Sequence, residues 1–262
     1  MQPEVFIAIG SAVVSLLSVL FTTISARRVT VLQYRLEEER HRQTKAELAE
    51  QLLSRYREPL LWSAHALQGR LFNAVRPGFL TDFLHCGDPD DERYTRDYTV
   101  YVLAEYLCWV EIIRRDQQFL DLGDVERNKR FFGFLDRITY IAAALDTPAQ
   151  LRLFRGQQRA IGELLLVRDE DGTGSRYESM GYAEFCERLD TDSRFASWFT
   201  RLRADVDVIA NADYDGNMRL VRMQHELIAL IDFLDPDQAR LATPNRALID
   251  RHAVNKTTTT SV

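Results

Sequence analysis

Cysteine is scarce in this chain. Cys86, Cys108 and Cys186 are odd in number, far apart and outside any CxxC spacing. That pattern excludes a disulfide framework and a thiolate metal site, and it fits a reducing compartment. Lysine is as scarce, three residues against thirty arginines, and no basic run rises above the formal net charge of -6. Phosphate neutralisation needs clustered positive charge, so nucleic acid is not an expected partner. Pairs of alternating apolar and polar runs are missing too, which makes the expected fold all-α with no strand pairs.

The most informative absence is local. From Val5 to Ala26 there are 22 residues without a charge or a proline. At 1.5 Å per residue, about 20 such residues span a bilayer core. Residues 1–4 carry Glu4 and no Lys or Arg, unlike the positively charged start of a cleaved secretory signal. A soluble core helix would show a polar face, whereas this run offers only Ser and Thr, whose hydroxyls bond back to their own helix. The expected organisation is a short extracytoplasmic stretch (1–4), a transmembrane helix (5–26) and a charged juxtamembrane stalk (27–57). A helical bundle (58–238) and a flexible tail (239–262) follow. Arg27, Arg28 and Arg35 come just after the span, so the positive-inside rule puts the N-terminus outside and the body in the cytoplasm of a cell-membrane protein. The sequon at Asn255 is then not expected to be glycosylated.

Stepping alternately three and four residues from Ala8 meets Ser11, Ser15, Ser18, Thr22, Ser25, Val29, Leu32 and Leu36. Within the span every position is small, which lets helix backbones approach closely in lipid. Beyond it the positions turn apolar, as a water-exposed seam requires. This stripe predicts a homodimer or higher homo-oligomer. The competing reading is that a span so rich in small residues shows such a stripe in some register without pairing. The stalk adds opposite charges at helical spacing, Glu38 with Arg42 for example. Its heptad seam weakens at Glu39, Gln43 and Glu50, so only a short, weak coiled coil is expected.

In the body, Pro59 is placed for the first turn of a helix ending before Pro77-Gly78, and "TDFLHCGDPDDERY" reads as an acidic loop. The apolar-rich segment from Tyr98 reads as the central helix. Asp124 is a cap for the next helix, and Thr147-Pro148 reads as cap and first-turn proline for another beginning at Ala149. After the polar loop "RDEDGTGSRYESMG" come a short "YAEFCERL" helix, a capped helix from Ser193, and one from Met218 ending at Asp235-Pro236. The final "NKTTTTSV" lacks apolar periodicity and reads as disordered.

Several motifs resemble sites and fall short. Asn211, Asp213 and Asp215 occupy positions 1, 3 and 5 of a calcium-loop pattern with Gly216 at position 6, so residues 211–222 resemble an EF-hand loop. Position 12, where the bidentate Glu belongs, is Arg222. Turn and cap chemistry explains the same residues. His225-Glu226 begins a zinc-protease HExxH, but Ala229 replaces the second His. "DEDGTGS" offers backbone amides like a phosphate cradle, without the Lys or a preceding strand. His85-Cys86 are sequence neighbours, and a nucleophile and its base must meet in space. His65 and Glu58 are acid–base candidates on one helix. Tyr98, Tyr101, Tyr106 and Trp109 line either a pocket or the core. "TTSV", with Thr260 and Val262, has the form of a C-terminal ligand for PDZ-type domains.

No reaction and no cofactor are legible in these residues. The expectation is a membrane-anchored helical protein acting through protein contacts as a self-associating scaffold or signalling component, its partners the bilayer, copies of itself and another protein. The rivals are a tethered enzyme or effector whose site forms only in the fold, and a calcium-responsive module built on 211–222.

Overall fold

The computed structural model describes residues 33, 35–40, 43–44, 56–76, 79–116, 125–168, 177–241 and 246–250. The run 5–26, with the seam residues Ala8 to Leu32, lies outside them, as do Asp124 and residues 251–262. Among the described residues no helix is long and apolar enough to cross a membrane. The chain divides into two units, residues 1–50 and 51–262. In the first unit, residues 35–40 are helical, and the seam residue Leu36 is 51% exposed.

The second unit is mostly helical, as expected. Helix α1 (56–75) is followed by α2 (Phe79–Phe83), α3 (Pro89–Asp116), α4 (Val125–Ala143) and α5 (Arg155–Leu164). After a two-stranded hairpin come α6 (Tyr182–Thr191), α7 (Ser193–Ala210) and α8 (Met218–Leu234). Helix α3 is central, packing on α5, α7, α6 and β2, while α4 packs on α8. Its ends suit a helix: the Asp88 carboxylate accepts the Asp90 N–H at 2.9 Å, acidic residues fill the first turn, and Arg114 and Arg115 fill the last. The apolar residues of α1 fall at helical spacing on one face, with Leu60, Leu61, Ala64, Leu67 and Leu71 lying in the core and Phe72 half-buried against it.

Five expectations need correcting. Tyr56 is already helical and buried, its hydroxyl donating to Asp116 at 2.8 Å, so the body begins before the boundary set at residue 58. The acidic segment 81–94 is a loop only between Phe83 and Pro89, because Asp88 with Pro89 forms a good helix start. Thr147-Pro148 starts no helix. Residues 144–154 form bends, a turn at 150–151 and irregular chain, and α5 begins only at Arg155, where the Gln157 side chain accepts the Phe154 N–H at 2.9 Å.

Strands are present as well. β1 (Leu166–Arg168) and β2 (Tyr177–Ser179) pair antiparallel, Val167 opposite Glu178. Three-residue strands are too short to show an alternating pattern, which is why the sequence conceals them. Finally, the segment expected as a flexible tail from residue 239 is partly packed, with Leu241 and Ile249 buried. The Gln224 side chain accepts the Ile249 N–H at 3.2 Å and donates to the Ala247 carbonyl at 2.8 Å.

Candidate functional site

Buried charge in this body is arranged for structure. Asp97, on the α3 face toward α7, is 1% exposed between Arg203 at 2.6 Å and Arg93 at 3.3 Å. Burial outweighs both guanidiniums and raises its pKa. Glu111 is 2% exposed. Burial acts to raise its pKa, but hydrogen bonds from Arg114 (2.7 and 2.6 Å) and Arg115 (2.9 Å) prevail and lower it. Arg219 is 1% exposed, and among the described residues no carboxylate lies against it at hydrogen-bonding distance. It donates to the carbonyls of Ile141 (2.6 Å), Ala142 (3.0 Å), Ala144 (2.8 Å) and Pro148 (3.0 Å), so it caps the C-terminal end of α4. Burial pulls its pKa down to about 10, which leaves it cationic at neutral pH.

The motifs resolve into local chemistry. Asn211 donates to the Asp207 carbonyl at 2.9 Å, and the Asp213 carboxylate accepts the Gly216 N–H at 2.7 Å, an Asx-type turn leading into α8. A Cβ on Gly216 would sit 2.9 Å from the Ala212 Cβ, so the tight turn itself favours glycine. Arg222 pairs with Asp146 at 2.9 Å. Among the described residues no cluster of three His, Cys, Asp or Glu is placed to hold a metal ion.

The other pairs separate. His225 Nε2 lies 3.0 Å from the Ile249 carbonyl, while Glu226 accepts from Arg137 at 2.9 Å. His85 faces Asp207 at 3.4 Å, and the Cys86 thiol donates to the Phe83 carbonyl at 3.3 Å. Glu58 pairs with Arg240, whereas His65 lies edge-on to Trp62 with its pKa lowered by burial and by Arg246. The "DEDGTGS" run lies outside the described residues; β1 ends at Arg168 before it and β2 begins at Tyr177 after it. Tyr98 and Tyr101 join an aromatic cluster with Tyr94, Tyr182 and Phe185, Tyr101 donating to the Met180 carbonyl at 3.1 Å. Tyr106 and Trp109 are core.

What no motif announced is a groove of about 360 Å³ between α3, α4 and α5. Its apolar wall comes from Val110 and Ile113 of α3 and from Phe132 and Leu135 of α4. Its polar edge comes from Arg114 of α3, Asp136 of α4, and Arg155 and Arg159 of α5. Helix α5 approaches α3 closely at Gly162, where a Cβ would lie 2.6 Å from the Leu107 carbonyl oxygen. Arg155 reaches across to Asp136 at 3.0 Å. Arg159 is 3.8 Å from Glu111 and 3.9 Å from Glu163, and it is 55% exposed. The sequence carried half of this signal, the apolar stripes. The convergence of three arginines required helices α3 and α5, forty residues apart, to meet. The chain matches no family model, no curated protein and no solved structure.

Proposed function

We propose that the chain is a single-pass membrane protein, N-terminus outside, whose helical body acts through protein contacts as a self-associated scaffold or signalling component. The carrying observation is the uncharged run 5–26 with Arg27, Arg28 and Arg35 immediately after it and small residues in one continuous register through it. The body supports an interaction role. The buried carboxylates Asp97, Glu111 and Asp235 are each paired with arginine, and an apolar groove opens on the surface.

Two measurements test this. Cross-linking the full chain in membranes captures a dimer that falls several-fold when Ser11, Ser15 and Ser18 are replaced by leucine; undiminished dimer would sink the pairing stripe. Cys86, the exposed cysteine, should react with a membrane-impermeant maleimide only after cells are permeabilised. Labelling on intact cells would reverse the topology.

A further inference from the structure

The groove between α3, α4 and α5 has a chemistry of its own, independent of how the chain is anchored. Its volume of about 360 Å³ lies in the range of small-ligand sites, which pair apolar walls with a few placed polar groups. The wall is Val110, Ile113, Phe132 and Leu135, and three guanidiniums, Arg114, Arg155 and Arg159, border it against two carboxylates, Glu111 and Asp136. Those carboxylates are already engaged. Both Glu111 oxygens accept from Arg114, with Arg115 adding a third hydrogen bond, and Asp136 pairs with Arg155.

One guanidinium is left in excess. Among the described residues Arg159 has ion pairs only to Glu111 at 3.8 Å and Glu163 at 3.9 Å, too long for hydrogen bonds, and it is more than half exposed at the edge of the apolar wall. The first turn of α5 adds to the positive field on this side. It brings Arg155, Gln158 and Arg159 to the groove, and its N-cap Phe154 supplies no side-chain acceptor for the first-turn amides.

We infer that this groove binds a small anionic amphiphile, a carboxylate on a short apolar chain, with the chain on Val110, Ile113, Phe132 and Leu135 and the carboxylate on Arg159. A guanidinium meets a carboxylate through two parallel hydrogen bonds, stronger than bonds between neutral groups, so the anionic head sets both orientation and selectivity. A neutral chain of the same length gains the apolar contact alone.

The test uses the full chain in nanodiscs of zwitterionic lipid and an octanoate analogue with a diazirine at its far end, followed by peptide mapping of the photolabelled protein. Labelling is expected on α3 and α4 around Val110 and Phe132, competed by octanoate and not by octan-1-ol. Arg159→Glu should lower the labelled fraction at least tenfold, and Thr139→Trp, which fills the groove from α4, should remove it. If Thr139→Trp does not fold, Arg159→Gln, a change at an exposed side chain, still predicts a several-fold loss. Labelling spread over the body, equal competition by octan-1-ol, or labelling unchanged in both arginine variants would overturn the proposal. None of these outcomes depends on whether the chain dimerises.

Discussion

At the scale of single residues, Arg219 shows how an arginine can be structural without a carboxylate. Its guanidinium binds the Ile141 and Ala142 carbonyls at the C-terminal end of α4 and those of the turn beyond, including Ala144 and Pro148. Arg219→Met keeps the apolar stem and removes the donors. Each buried carbonyl left without a partner costs about 1–3 kcal/mol, and Ala144 and Pro148 lose theirs, so a loss of at least ~2 kcal/mol is expected in urea unfolding, with Arg219→Lys recovering only part. Glu111 sets a pH dependence. Its folded pKa is depressed, so the unfolded state binds the proton more tightly, and the stabilisation present above the ordinary glutamate value is lost as pH falls through 4.5 and below. Asp97 works the opposite way: its raised pKa favours the folded state at acid pH and costs stability as pH rises above the usual aspartate range. Glu111→Gln should lower stability at pH 7 and flatten the acid limb of the stability curve. An unchanged slope between pH 5 and 3 would show that other carboxylates carry it.

At the scale of elements, the two clearest controls are a close approach and a cap. Gly162 allows α5 to lie against α3, and the atom nearest to any added Cβ is a backbone carbonyl oxygen that cannot rotate away. Gly162→Ala should therefore destabilise by about 1–3 kcal/mol despite the better helix propensity of alanine, read from the denaturation midpoint. A gain in stability would mean that α5 shifts freely. Asp192 caps α7 by accepting the Arg194 and Phe195 N–H groups at 3.0 Å each. Asp192→Ala is expected to cost about 1 kcal/mol, while Asp192→Asn, which keeps the acceptor, should restore most of it. These elements were unequally legible. Helix α8 is found from Met218 to Leu234 as its apolar spacing and the Asp235-Pro236 stop predict. The start of α5 was misplaced because Thr147-Pro148 has the chemistry of a helix start, yet the Leu153 N–H bonds the Ala142 carbonyl and the Leu151 N–H bonds Asp205. Those partners are 11 and 54 residues away and override local preference.

At the scale of the molecule, residues 246–250 act as a clasp across the body. Arg246 reaches Asp235 and Asp232, Gln224 holds Ala247 and Ile249, and His225 meets the Ile249 carbonyl. Gln224 also contacts Gln68, so the clasp, α8 and α1 meet at one polar point inside an apolar layer. Ile249→Ala should cost about 2 kcal/mol and speed amide exchange across α8. Exchange unchanged in α8 would show that the clasp fastens nothing beneath it.

What the sequence determined by itself is what depends on neighbours along the chain: the helical class, the span of α8, and the uncharged run with its trailing arginines. Periodicity, caps and charge asymmetry act over a few residues, so they can be read without a fold. Only the tertiary structure decided the hairpin, the late start of α5, the clasp and the arginine-edged groove, because each depends on groups far apart in sequence. Glu111 among Arg114, Arg115 and Arg159 becomes a neutralised site beside an apolar wall only when α5 settles on α3 at Gly162. The buried Glu111 is then paired, and Arg159 is left exposed at the edge of that wall.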